Sequence, residues 1–262
     1  MDLWLAGLII LGAAALSVAA MLVVRRVAPA GSYFKDVVPA GALYTVLGTA
    51  YMVILAFVFL VAFESYHAAR TEAQNEATAT LAMFHAVQPL SSKTRNQLQS
   101  QVICYAREVI SKEWPAMRDG KTSPAVEARI TAMENDGEKV ASQQGAVYQA
   151  WSSANDERRH GRQGRIAEAA PVVPSVIWLV LIVGALVVLS TVCFFADADE
   201  AWFPQVAMMA ATATIIVSGL LLVRFLELPY ENQSGSIKPS AMARSLALIH
   251  QVPNAPVVAR CD

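Results

Sequence analysis

From Thr49 to Gln88 the chain has neither proline nor glycine, and the character of its side chains changes once along the way. Thr49 to Phe63 is uncharged and apolar. Glu64 to Gln88 is polar, with a thin apolar stripe. Nothing between the halves stops a helix. The pattern predicts one helix that runs out of a bilayer and continues in water, a rod of roughly 60 Å at 1.5 Å per residue.

Four uncharged stretches approach the ~20 residues that a bilayer core requires. They are Leu3–Val24, Gly41–Phe63, Pro174–Ala196 and Trp202–Val223. Arg25 and Arg26 close the first, Glu64 the second, Asp197 the third and Arg224 the fourth. Trp4, Tyr44, Trp178 and Trp202 stand near span ends, where aromatic rings favour the interface. The first stretch reads as a retained anchor. Its n-region, Met1-Asp2, has no positive charge, and Arg25-Arg26 follows the apolar run in the wrong order for a cleaved signal.

Residues 64–172 form one polar insertion that reads as helices. Ser92 is placed to cap a helix carrying Leu98, Val102, Tyr105, Val109 and Ile110, ending near Trp114-Pro115. A turn follows at Arg118-Asp119-Gly120. Ser123-Pro124 then reads as a helix start, with Glu127 in the favourable first turn. That helix carries Val126, Ile130 and Met133 and is expected to stop at Asn135-Asp136-Gly137. A last helix should hold Val140, Val147 and Trp151 on one face. The apolar stripes are narrow, so these helices need partners. From Phe225 the tail holds Leu226-Glu227-Leu228-Pro229-Tyr230 and a turn at Gln233–Ser236. A short helix with Met242, Leu246 and Ile249 on one side follows, then a proline-rich end expected to fray.

The fold class that results is an all-α membrane protein. Four transmembrane helices carry a soluble helical domain inserted between the second and third. The divisions are 1–40 (anchor and loop), 41–63 (second span), 64–172 (soluble domain), 173–224 (transmembrane hairpin) and 225–262 (tail). Composition agrees: 55% of residues are hydrophobic and only 16% charged, too apolar for an ordinary soluble domain.

Charge excludes some functions. The insertion balances its basic and acidic residues, so no nucleic-acid partner is expected. The run Arg158-Arg159-His160-Gly161-Arg162 reads as a solvated or headgroup-facing flank. Cys104, Cys193 and Cys261 form no CxxC and read as three free thiols. His67, His85, His160 and His250 make no metal-ligand spacing, and no P-loop, dinucleotide or nucleophile-elbow motif occurs. An enzyme, a cofactor, a metal site and catalytic residues are therefore not expected.

With four spans, both termini and the large domain share a side. That side carries Arg70, Arg158, Arg159, Arg162, Arg165, Arg224 and Lys238 near span ends. The other carries Arg25, Arg26 and Lys35 in one loop and Asp197, Asp199 and Glu200 in the other. The positive-inside rule favours the large domain and both termini in the cytoplasm.

The stretch from Gly41 to Ala77 resembles the start of the bacterial bestrophin-like domain family of unknown function. So does Tyr105-x3-Val109-x3-Glu113-Trp114-Pro115-x-Met117. Pro174-x3-Trp178 at the opening of span three and Leu226-x-Leu228-Pro229…Gly235-Ser236-Ile237 are similar too. The likeness covers roughly residues 40–250. It implies the four-span helical architecture and, more remotely, the bestrophins. Those are oligomeric channels whose second span lines a hydrophobic neck leading to a cytosolic vestibule. The acidic cluster with which animal bestrophins bind calcium has no counterpart here.

The resemblance implies a homo-oligomer, a pentamer being one arrangement it allows, with the lipid bilayer and inorganic ions as the other partners. Neck candidates are Leu55, Phe59 and Phe63, spaced one helical turn apart. Pore-mouth charges are Glu64, Asp197, Asp199 and Glu200, which as rings would concentrate cations. Ala207, Ala211, Thr214 and Ser218 form a small-residue stripe on span four, suited to a pore face or, more simply, to close helix packing, as are Gly41, Gly48 and Gly184. The function expected is a bestrophin-like ion channel. The alternative is a non-conducting membrane sensor or scaffold whose helical domain binds a partner protein.

Overall fold

The computed structural model describes residues 3–27, 37–141, 145–197, 200–258 and 261. Every regular element among them is helical: α1 (Leu3–Val27), α2 (Val37–Ala86), α3 (Ser92–Glu108), a π turn (Val109–Glu113), α4 (Trp114–Met117), α5 (Pro124–Ala141), α6 (Gly145–Ala167), α7 (Ser175–Phe194), α8 (Trp202–Glu227) and α9 (Ser240–His250). Two compact units result. One comprises Met1–Ser65 and Pro171–Glu227, the other Tyr66–Ala170 and Leu228–Asp262. The tail beyond α8 thus joins the second unit. Helix α2 passes through both without interruption, about 75 Å over its 50 residues.

Among the described residues four helices are long and apolar enough to cross a membrane; α1, α7 and α8 belong to the first unit with the apolar part of α2. Helix α1 packs on α7 and α8, with Met21, Cys193, Ala196 and Met209 buried together. Helix α2 meets α7 and α8 at two glycines. A side chain on Gly184 would run into the ring of Tyr51, and one on Gly219 into Leu55. The packing expected of Gly184 is therefore seen, whereas Gly41 and Gly48 have no neighbour within 4 Å. Large apolar residues such as Leu8, Phe57, Leu179 and Met208 stay exposed around this unit.

The second unit has two cores. Ala69, Ala73, Tyr105, Val109, Trp114, Val126 and Tyr230 belong to one, and Met83, Phe84, Leu98, Val102, Met133, Trp151 and Ile249 to the other. Several local expectations change here. Ser91, not Ser92, stands at the N-cap of α3. The helix does not end before Pro115. The π turn pairs the Trp114 N–H with the carbonyl of Val109, five residues back, and the wider turn carries proline on to Met117. Helix α5 begins at Pro124 as expected, and Gly120 adopts a positive φ of 66° in the preceding turn. The Asn135-Asp136-Gly137 stop is not used. Asp136 is held by Lys139 and Gln97, and Gly137 leaves the space that the Trp151 indole fills. The helix runs to Ala141, so Val140 lies on α5 and meets Trp151 of α6 across a helix pair rather than on one face.

The cysteine reading is also corrected. Cys104 and Cys261 form a disulfide, with 5.4 Å between their Cα atoms. Only Cys193 is a free thiol. The two bonded cysteines are 157 residues apart, so spacing did not pair them. What brings them together is the course of the tail. Val252, Ala255 and Val258 pack on the second core, and Arg107 donates to the carbonyl of Val258 at 2.6 Å. The described part of the tail is therefore docked, not frayed.

Candidate functional site

Helix α2 is the element on which the sequence-predicted site depends. Its buried residues in the second unit are Ala69, Ala73, Glu76, Ala77, Ala79, Thr80, Met83 and Phe84. From Met52 to Glu64 most of its residues are exposed, namely Met52, Val53, Ile54, Ala56, Phe57, Leu60, Val61, Phe63 and Glu64, whereas Leu55 and Ala62 are buried. In the second unit His67, Arg70, Gln74, Asn75, Thr78, Ala82 and His85 are exposed. There, steps of three and four residues keep most of the buried residues on one face and the exposed ones on the other. The exposed residues change at Glu64 from apolar to mostly polar.

The neck candidates differ in placement. Leu55 is buried against α8 at Gly219. Phe59 is half-buried and Phe63 exposed, and their rings stack with centroids 6.1 Å apart. Glu64 is exposed. Asp197 and Glu200 come together at the other end of the α2 membrane segment, in a cavity with Gly41 and Tyr44. Gln205 Nε2 donates to the Asp197 carbonyl (3.1 Å) and to Glu200 Oε2 (3.3 Å). Arg25, in the last turn of α1, donates to Gln205 Oε1 (3.0 Å) and to the Glu200 carbonyl (2.5 Å). Asp199 lies outside the described residues. On α8, Ala207 and Ala211 are exposed and Thr214 and Ser218 half-buried, while Met209, Ala213 and Ile216 make the contacts within the chain. The small-residue stripe is therefore exposed at its Ala207 end and partly covered at its Ser218 end.

Sequence reasoning missed the strongest electrostatic feature, a buried ion-pair network in the second unit. Arg158 and Arg165 are fully buried and Arg162 nearly so, which corrects the reading of this run as a solvated flank. Arg165 clamps Glu76 through Nε and Nη2 and reaches Glu113 at 2.6 Å. Arg162 holds Glu113 at 2.5 Å and Glu127 at 2.7 Å. Tyr105 donates to Glu76 at 2.5 Å and accepts from Arg158 Nη1 at 3.3 Å. The guanidinium groups of Arg158 and Arg165 lie over the Tyr105 and Trp114 rings at 4.9 and 5.0 Å. Burial and the Glu76 carboxylate push the Tyr105 hydroxyl well above its ordinary value. Burial by itself would raise the Glu113 carboxyl. The Arg162 hydrogen bond and the charges of Arg165 and Arg162 outweigh it and hold the group below the ordinary 4.5.

These acids are committed to arginines, so the network serves to lock helices together rather than to supply a free base. The one available signal was the spacing of Arg158, Arg162 and Arg165, which share a helix face. Two glycines let α6 approach α2 closely enough for the pairs to form. Gly161 lies on the Glu76 backbone and Gly164 on the Glu72 side chain.

Glu113-Trp114-Pro115 and the Leu226–Ile237 segment, far apart in sequence, meet here. Trp114 is buried as expected, edge-on to Tyr230 (5.5 Å between centroids), and donates to the Ile237 carbonyl at 3.2 Å. Tyr230 donates to the Ala69 carbonyl at 2.9 Å, and Tyr66 to that of Gly235 at 2.7 Å. Among the described residues no group of three His, Cys, Asp or Glu side chains is arranged to hold a metal ion.

The family model described as the bestrophin-like domain matches residues 11–242. The chain belongs to the bestrophin-like family. Solved structures agree with this bestrophin-like fold. Two are crystal structures of a bacterial bestrophin homolog from Klebsiella pneumoniae, each with a point mutation. Both have a TM-score of 0.73 and 14% identity. One match covers 93% of this chain and 99% of the other, the second 94% and 99%. A crystal structure described as that of a membrane protein variant has a TM-score of 0.70 and 14% identity, over 90% and 95%. At this identity the likeness is one of fold. No match was found among curated proteins. The bestrophin-like protein is thus an all-helical membrane protein with four membrane-length helices.

Proposed function

We propose that this bestrophin-like protein is a homo-oligomeric ion channel of a bacterial inner membrane, in which copies of α2 surround an axial pathway. The observation that carries the reading is α2 itself: 50 residues without a break, apolar and largely exposed up to Phe63, then with one face buried in its own chain and a mostly polar face exposed. Around an axis, the exposed apolar residues near Phe63 would form a neck that gates by dewetting. The residues from Glu64 to His85 would line a wider polar vestibule within the helical domain inserted between α2 and α7. Phe63 borders the exposed face and Phe59 stacks behind it, so these two are the neck residues proposed; Leu55 would buttress them from the α8 side. Glu64 would meet ions just past the neck. Asp197 and Glu200 would ring the opposite mouth. The stripe of Ala207, Ala211, Thr214 and Ser218 would pack against a neighbouring copy.

Particle images viewed down the membrane normal test the assembly. A ring of four or more copies with an axial hole is expected. A monomer or compact dimer would overturn the axial pore and favour the sensor or scaffold. In liposomes, Phe59→Ala and Phe63→Ala should each raise ion flux by about tenfold or more, as a loss of the apolar barrier of ~1.4 kcal/mol would. Unchanged flux in both would remove them from the neck.

A further inference from the structure

The second unit holds a cavity of about 240 Å³ between the first residues of α2 in that unit and the segment leading into α9. Three cations from distant parts of the chain line it: Arg70, Lys238 and Arg244. Among its described lining residues there is no carboxylate. Arg129, Lys139, Arg158, Arg159, Arg162 and Arg165 of this unit lie within ion-pair reach of a Glu or Asp. The three cations of the cavity, like the exposed Arg118 and Lys121, do not, but here three converge on one site. Lys238 donates only to the neutral Asn232 (2.8 Å), and Arg70 and Arg244 are exposed with no ion pair. Uncharged donors complete the lining. Gln74 and Ser240 are exposed there, and Ser240 begins α9, whose first N–H groups add positive potential. Ala73, Ile237 and Ala241 make an apolar side.

We propose that this cavity binds a phosphoryl group. Three positive charges without a matching acid call for a multiply charged anion, and guanidinium forks fit the oxygens of a phosphate in pairs. The size restricts the rest of the ligand. Sites for drug-sized molecules run from about 300 Å³ upward, so the cavity takes phosphate or a small phosphomonoester rather than a nucleotide. The same chemistry has two sources, a free phosphate in solution and the headgroup of a phosphomonoester lipid. The residues are distinct from those proposed to form the neck, although Arg70 and Gln74 lie in the stretch proposed to line the vestibule, and the binding test below does not measure conduction.

The test uses the full chain in neutral detergent at physiological ionic strength. Equilibrium dialysis against radiolabelled inorganic phosphate should show saturable binding of one phosphate per chain, displaced by sulfate. Arg70→Gln and Arg244→Gln should each weaken it by about tenfold or more, since each removes a charge-assisted contact. Lys121→Gln, an exposed lysine that does not line the cavity, should leave it unchanged. The second arm uses nanodiscs of phosphatidylcholine alone or with phosphatidic acid, and compares melting temperatures. Phosphate binding that depends on Arg70 and Arg244 supports a soluble ligand. A phosphatidic acid shift that disappears in the double variant, without phosphate binding, supports the lipid headgroup. If neither arm separates the wild-type chain from the Arg70→Gln, Arg244→Gln double variant, the site is overturned. Both side chains are exposed, so loss of binding would not reflect loss of the fold.

Discussion

Glu113 shows how much one side chain holds together. It accepts from Arg162 and Arg165 and sits in the bend where the π turn passes into α4. Its carboxyl is held below the ordinary value, so as pH falls the unfolded chain takes up the proton first. The stabilisation is therefore complete above about pH 4.5 and lost as pH falls through the lower folded-state value. Melting curves between about pH 7 and 3 check this: the melting temperature should drop on the acid side. Glu113→Gln should cost about 1–3 kcal/mol near neutrality, because two buried guanidinium groups each lose one of their two carboxylate partners, Arg165 keeping Glu76 and Arg162 keeping Glu127. It should also flatten the acid limb. None of this was legible in Glu113-Trp114-Pro115 alone. The buried tryptophan followed from its size and apolarity. The role of the neighbouring acid depended on arginines some fifty residues away.

Among elements, the crossing of α2 and α6 decides the second unit. Ala69, Ala73 and Ala77 keep that side of α2 thin, and Gly161 lies directly on the backbone of Glu76. A Cβ at Gly161 would stand 2.5 Å from the Glu76 nitrogen and 2.9 Å from its Cα, atoms that cannot rotate aside. Overpacking costs about 1–3 kcal/mol, and a β-branched side chain recovers little helix propensity against it. Gly161→Val should therefore lower the midpoint of thermal unfolding. An unchanged midpoint would mean that the two helices separate freely. Helix starts such as Ser123-Pro124, and the uninterrupted course of α2, were readable because they rest on local chemistry. The ends at Pro115 and Gly137 were misread for a different reason. A π turn and a tryptophan from another helix overrode signals that would have stopped an isolated helix.

At the scale of the whole molecule, the disulfide and the charge pattern bear on the same question. With Arg158, Arg162 and Arg165 buried in ion pairs, the basic residues left to orient the chain near span ends are Arg70, Arg159, Arg224 and Lys238, against Arg25, Arg26 and Lys35. On this count we propose, by a narrower margin, that the second unit faces the cytoplasm. There the Cys104–Cys261 pair would be kept reduced. The expected result of alkylating thiols before lysis and weighing the chain is that both cysteines carry the label. The bridge should appear only after purification in air. A bridge already formed in the cell would put this unit on the oxidising side of the membrane and reverse the orientation.

The sequence by itself determined the solvent of each segment. Four apolar stretches, a polar stretch continuous with the second of them, and weakly amphipathic helices between and after are properties of neighbouring residues, because burial and helix propensity act over a few turns. The bestrophin-like character was also present in short motifs. Tertiary structure alone decided which distant groups meet. It joined the Leu226–Ile237 segment to Trp114, Cys261 to Cys104, three arginines of α6 to Glu76 and Glu113, and Arg70 to Arg244 around one cavity. Pairings of that kind depend on where helices cross, and the crossings are set by glycines and alanines whose small size says nothing, in sequence, about what will lie against them.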